Sequence, residues 1–175
     1  PLLILNGNGD AYYKHSQLYT TVFGQEKFLN DFTFKTVFGY DYYMRRDKYS
    51  GNAHELYSFS RNQVVTPAAS NDQIHAYIYN NHHYNWKWTN TLNWAHTFAK
   101  VHDVSALVGF EEGLNYGTYI DTNKYGVIDP TITDMSTVTN MDYIKGDDHE
   151  SRFRSWFGRV NYAFDSKYLL EVDFR

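Results

Sequence analysis

The stretch RFRSWFGRVNYAFDSKYLLEVDFR, Arg152 to Arg175, decides how the rest of the chain is read. Its even positions Trp156, Val160, Tyr162, Phe164, Tyr168, Leu170, Val172 and Phe174 are apolar or aromatic. Its odd positions Ser155, Arg159, Asn161, Glu171, Asp173 and Arg175 are polar or charged. Alternation of period two puts the two sets on opposite faces of a strand. Asp165-Ser166-Lys167 interrupts the pattern with turn chemistry, so the unit reads as a tight antiparallel hairpin. A hairpin of a soluble sandwich has such faces. So do two strands of an outer-membrane barrel, with the apolar face toward lipid and the charged face toward a wet lumen.

Composition narrows the choice. The chain has 175 residues, ordinarily one domain, and a formal net charge of -4, which speaks against a strongly basic nucleic-acid binder. It has no cysteine, hence no disulfide framework and no thiolate metal site. Aromatic residues make up 19% of it, with 17 Tyr, 12 Phe and 4 Trp, yet mean hydropathy is -0.61. No apolar run is long enough for a membrane helix. A β-barrel accommodates both values, because only alternate residues face lipid and its loops are long and wet. The opening PLLILNGNGD lacks the basic n-region and small-residue cleavage site of a signal peptide. The strand pattern runs on to Arg175, and the chain is expected to be part of a longer polypeptide.

Working outward, the same alternation recurs. In 32–43, Phe32, Phe34, Phe38, Tyr40 and Tyr42 oppose Thr33, Lys35, Gly39 and Asp41. In 82–98, Trp86, Trp88, Leu92, Trp94 and Phe98 oppose Lys87, Thr89, Thr91, Asn93 and Thr97. In 103–116, Val104, Ala106, Val108 and Phe110 oppose Ser105, Gly109 and Glu111. Residues 1–15 read as a loop entering a strand, 16–24 as β-prone, and 25–31 as a polar connection. Residues 44–81, which include Pro67, and 117–150 lack clean periodicity and are expected to be long loops. The expected architecture is therefore all-β, antiparallel and up-and-down: about six strands, tight turns at one end and long loops at the other. A run of about eight residues, rising roughly 3.3 Å each at a tilt of about 40°, climbs about 20 Å, close to the roughly 25 Å apolar band of a membrane barrel. Aromatics at both strand ends fit its girdles, expected at Tyr40, Tyr42, Trp86, Trp88, Phe98, Tyr162, Phe164 and Tyr168. In a soluble sheet these would be core residues, with no reason to gather at strand ends.

Two phrases carry a family resemblance. SWFGRVNYAFDSKYLL, Ser155 to Leu170, and WTNTLNWAHTF with HDVSALVGFE, within Trp88 to Glu111, resemble barrel segments of SusC/RagA-like TonB-dependent outer-membrane transporters. Trp94 and Phe110 stand where the family usually has Tyr, and the turn at Ala99-Lys100-Val101 is slightly longer. The resemblance implies that 1–175 is part of one 22-stranded transmembrane barrel domain, filled in the whole protein by a plug. It implies a SusD-like surface lipoprotein over the mouth, a TonB complex that pulls on the plug, a glycan or peptide as cargo, and no cofactor. Six strands cannot close a membrane barrel, since the smallest single-chain bacterial ones have about eight, so further strands are expected from the rest of the polypeptide.

Candidate site residues follow from the faces. Lumen-facing Lys87, Arg159, Glu171 and Asp173, with Lys35, Asp41 and Arg175, line a substrate path or pair with one another and with a plug; pairing is favoured for most, with Arg159 and Glu171 expected across the hairpin. Tyr84 and Tyr119 are candidates for stacking on substrate, as are Tyr57, Phe59, Tyr77, Tyr79 and Tyr125; the same rings could instead pack a loop or meet a lipoprotein. No metal site is expected: adjacent His82 and His83 point to opposite faces, and Asp142, Asp147, Asp148, His149 and Glu150 read as a solvated loop. No nucleophile–base arrangement or phosphate loop argues for an enzyme. A soluble carbohydrate-binding module with an aromatic platform is the alternative reading, and it leaves the alternation of long loops with tight turns unexplained.

Overall fold

A computed structural model describes residues 10–51, 56–66, 73–128 and 134–175. The loop expectations for residues 1–9 and around Pro67 lie outside them. The described chain is all-β apart from short helical turns such as 3-10 Met135–Thr137. Strands β1 (Asp10–Phe28), β2 (Phe32–Ser50), β5 (His75–Phe98), β6 (His102–Val127), β7 (Val138–Phe164) and β8 (Tyr168–Phe174) form one sheet in the order β1-β2-β5-β6-β7-β8. A small hairpin, β3 (Leu56–Ser58) and β4 (Gln63–Thr66), rises from the connection between β2 and β5.

The β7–β8 hairpin has the register that parity requires. Val160 pairs Val172, Tyr162 pairs Leu170 and Phe164 pairs Tyr168 on one face, while Arg159 pairs Asp173 and Asn161 pairs Glu171 on the other. The tight turns share one chemistry. Leu29 and Asn30, Ala99 and Lys100, and Asp165 and Ser166 are successive residues at positive φ. The Val101 amide donates to the Phe98 carbonyl at 3.2 Å, and the Lys167 amide to that of Phe164 at 2.9 Å. These are primed turns, whose twist matches that of the strands, built without glycine.

The strands are longer than expected. β2, β5, β6 and β7 have 19, 24, 26 and 27 residues, so the segments 44–50, 75–81, 117–127 and 138–150, expected to be loop, are strand. β1 likewise begins at Asp10, inside the expected entry loop, and runs to Phe28, inside the expected polar connection. Ladder hydrogen bonds join backbones and need no alternation of side chains. Where both faces carry polar groups, the pattern of period two disappears while the sheet continues.

Contacts divide the chain into two units. One comprises Pro1–Gln17, Tyr43–His83 and Gly117–His149; the other comprises Leu18–Tyr42, Tyr84–Tyr116 and Glu150–Arg175. In the first, Ile74, Ala76, Val127 and Val138 are buried with Met135 against them, and the amides of Gly51 and Gly126 donate to the carbonyls of His75 and Ile74 at 3.0 Å each. In the second, the buried hydrophobic side chain among the described residues is Leu114. Its apolar face is open: Trp88, Val108, Val160 and Leu170 are 41%, 43%, 46% and 61% exposed. A soluble domain would bury such residues together. No described helix is long and apolar enough to cross a membrane.

Candidate functional site

The polar face of the second unit is a network of ion pairs. Arg159 Nε and Nη2 donate to the two oxygens of Asp173 at 2.7 and 3.3 Å, and Nη1 stands 3.5 Å from Glu171. The direct cross-strand partner Asp173 thus takes the fork, and the expected partner Glu171 takes a longer contact. A second node is Glu111, whose carboxylate is buried and receives Arg175, Ser155 Oγ at 3.2 Å and Lys87 Nζ at 4.0 Å. Asn161 donates to Ser105 at 3.3 Å, and Thr97 to Asp103 at 2.7 Å. Lys87, Arg159, Glu171 and Asp173 are therefore neutralised within the sheet, and the face carries bound charge rather than free charge. Most of these groups are half exposed, where such pairs are worth about 0–1 kcal/mol. Glu111 organises more of this face than any residue singled out beforehand, and its odd position among glycines was the signal for it.

The opposite face of this unit carries the aromatic rings. Tyr84 lies between Tyr40 and Tyr116, with ring centroids 6.4 and 5.1 Å away. Trp86 stacks on Phe38 at 6.2 Å, Phe110 meets Trp156 at 4.8 Å, and the Trp88 indole N–H donates to Thr36 Oγ1 at 2.8 Å. Tyr84, expected on a substrate path, thus belongs with Tyr40 and Trp86 and away from the charged residues. Its even number already placed it there. Toward the tight turns, Phe28 stacks on Phe32 at 5.5 Å, Trp94 meets Phe98 at 6.2 Å, and Phe164 stacks on Tyr168 at 6.4 Å. His102 Nδ1 lies 2.8 Å from the Tyr162 hydroxyl, and His96 Nδ1 lies 2.8 Å from Asp31. Tyr42, also named for the girdle, is half-buried.

The first unit holds a different surface. Tyr119 lies 6.1 Å from Tyr79, whose ring carries the Arg45 guanidinium at 5.3 Å and whose hydroxyl accepts from Asn81 at 3.0 Å. Arg45 is held by the buried carboxylate of Asp47 at 2.8 and 2.5 Å, a bond that raises its pKa. Burial first and the charge of Asp121 second hold the Tyr77 phenol above the usual tyrosine range. Tyr143 donates to Asp121 at 3.2 Å. The rings of His83 and His149 are 6.4 Å apart, and those of His75 and Tyr125 5.8 Å. In the β3–β4 hairpin Tyr57 packs edge-on against Phe59 at 5.3 Å and donates to Asn62 at 2.7 Å, leaving Phe59 exposed. Among the described residues no three His, Cys, Asp or Glu side chains converge on a metal position.

A six-stranded sheet with an open apolar face, ringed by aromatics and backed by a charged face, has close counterparts among solved structures. The RagAB peptide transporter matches with a TM-score of 0.80 over 94% of this chain, at 19% identity. This chain has the fold of part of a RagAB transporter chain. The RagAB peptide importer in its 'closed-closed' state matches over 97% of this chain at 18% identity, and the 'open-open' state over 94% at 19%, each with a TM-score of 0.80. The chain spans about a fifth of the length of these proteins, 18% of the chain in the first comparison. The resemblance to SusC/RagA-like transporters read from Ser155–Leu170 and Trp88–Glu111 is thus met at the level of fold. No family model and no curated protein matches the sequence.

Proposed function

We propose that this chain is wall and mouth of an outer-membrane TonB-dependent transporter, a SusC/RagA-like barrel completed by strands elsewhere in the polypeptide. The observation that carries the reading is the open apolar face of Trp88, Val108, Val160 and Leu170, opposite a face of paired charges. In water such a face costs free energy in proportion to its area; against hydrocarbon it costs none. Strands β1, β2, β5, β6 and β7 exceed the roughly ten residues a tilted barrel strand needs to cross, which leaves length for a mouth beyond the bilayer. Tyr40, Tyr84 and Trp86 mark one boundary of the apolar band, with Trp88 one strand step inside it, and Phe98, Tyr162, Phe164 and Tyr168 mark the other.

In this reading the segment conducts and performs no chemistry. Its neighbours are transporters, not enzymes. The paired charges of Lys87, Arg159, Glu171 and Asp173 face a plug inside the lumen, while Tyr79, Tyr119 and Arg45 line the mouth where a peptide or glycan enters. A SusD-like surface lipoprotein closes that mouth, and TonB drives release into the periplasm through parts outside this chain. No nucleic acid and no cofactor take part.

Fractionation of cells expressing the full-length protein tests this. It is expected in the outer membrane, released only by detergent, with uptake of a peptide or glycan nutrient that is lost on deletion of TonB. Recovery of the full-length protein in the aqueous extract would end the reading.

A further inference from the structure

We propose that His83 and His149 together bind a divalent transition-metal ion, which clips β5 to β7 across the strand between them. Both residues and the intervening Gly117 belong to the first contact unit, so the site needs nothing from the second and does not depend on the membrane reading. Along the chain His83 has His82 beside it, on the opposite face; its partner comes from β7 instead. β6 lies between β5 and β7. Neighbouring strands stand about 4.7–4.9 Å apart, so upright side chains on β5 and β7 would be about 10 Å apart. The rings of His83 and His149 are 6.4 Å apart, so they lean toward each other. Gly117 makes the room: the His149 ring occupies the place that a Cβ on this glycine would take.

Covering a glycine does not itself call for histidine. Gly109 and Gly113, on the same strand, are covered by the rings of Phe157 and Phe153. Of these three glycines Gly117 alone has an imidazole over it, and that imidazole faces a second one. Among the described residues neither ring has a hydrogen bond or an ion pair, so their nitrogens are open to a ligand. A zinc–imidazole bond of about 2.0–2.1 Å puts the ion about 3.2 Å from each ring centre, and the two centres about 5 Å apart at a tetrahedral angle or about 6.4 Å when the ligands are opposed. The rings stand at the open end of that range, and a swing of about 1 Å by the exposed His149 brings them to the tetrahedral angle. No third His, Asp or Glu joins them among the described residues, so water completes the coordination. Imidazole nitrogen selects zinc, copper or nickel; calcium and magnesium take oxygen ligands.

The test uses the full-length protein without a polyhistidine tag, in detergent and freed of metal by a chelator. Calorimetric titration with zinc chloride compares wild type with His83→Gln, His149→Gln and the double variant. Wild type is expected to take up one equivalent more than any of the three. Its thermal unfolding should also move to higher temperature with the ion, because only the folded sheet brings the rings together. His82→Gln should match wild type, and magnesium chloride should leave all of them unchanged. With copper sulfate, the electron paramagnetic resonance of wild type should show splitting by imidazole nitrogens that either single substitution reduces. Equal zinc uptake by wild type and the double variant, an equal response to magnesium, or a copper spectrum indifferent to both substitutions overturns the clip.

Discussion

The ring of Phe153 lies across Gly113: a Cβ built on that glycine would come 2.6 Å from Phe153 Cε1 and 2.6 Å from the Trp86 carbonyl oxygen. The arrangement repeats along β6 and β7. Phe157 covers Gly109, and His149 covers Gly117, each ring occupying the place of the missing Cβ. Glycines four apart on one strand thus receive rings four apart on the other. Each ring shields backbone that glycine leaves bare, as aromatic residues do over glycines elsewhere in sheets.

Alanine at Gly109 and at Gly113 should therefore behave differently. The nearest atoms to a Cβ on Gly109 all belong to the Phe157 ring, so the cost of Gly109→Ala, about 1–3 kcal/mol for overpacking, should fall in a Phe157→Ala background. Gly113→Ala also meets backbone at Trp86, so Phe153→Ala should relieve only part of its cost. Unfolding midpoints of the full-length protein in detergent check this, and equal rescue at both sites would contradict the geometry.

Val172 and Glu171 are neighbours on opposite faces of β8. Val172 pairs Val160 on the open apolar face, and Glu171 stands 3.5 Å from an Arg159 already forked on Asp173. Val172→Arg puts a charge toward hydrocarbon and should cost about 2–4 kcal/mol near mid-band. Glu171→Gln should cost less than about 1 kcal/mol, because half-exposed pairs contribute little. Comparable midpoints for the two variants would mean that the faces are assigned the wrong way round.

How far the sequence could be read depended on what each face touches. Where one face is apolar and the other charged, parity alone placed Trp88, Val108, Val160 and Leu170 on one face and Arg159, Glu171 and Asp173 on the other, though not which acid pairs with Arg159. In 75–81 and 117–127 each face mixes polar and apolar side chains, so Tyr77, Tyr79 and Tyr119 gave no alternation and read as loop, although the sheet runs through them. The matched four-residue spacing of Gly109, Gly113 and Gly117 with Phe157, Phe153 and His149 was present in the sequence, but it becomes a signal only once β6 and β7 are known to be adjacent. Arg45 on Tyr79 needed the register of β2 against β5, which no local pattern encodes.

Ala99 and Lys100 adopt φ of 49° and 63° with no glycine to relieve the crowding. A left-handed conformation costs an ordinary residue about 1–2 kcal/mol, and glycine gives back about half of that through the entropy of the unfolded chain. Lys100→Gly should therefore stabilise the protein by roughly 0.5–1 kcal/mol. A lowered denaturation midpoint would show that the turn is not of the primed kind.

Trp88 and Thr36 supply the last test. The indole N–H donates to Thr36 Oγ1 at 2.8 Å on the open apolar face. In water either group would find another partner. Against hydrocarbon the N–H has none, so Thr36→Val should leave it unsatisfied. A double-mutant cycle with Trp88→Phe should give a coupling of about 0.6–1.7 kcal/mol, the range for side-chain hydrogen bonds inside membranes. The Trp88 contribution to fluorescence should also shift in Thr36→Val, as its N–H loses a bonded neighbour. A coupling near zero with unchanged emission would mean that water reaches this indole, and that the face of Trp88 does not lie against lipid.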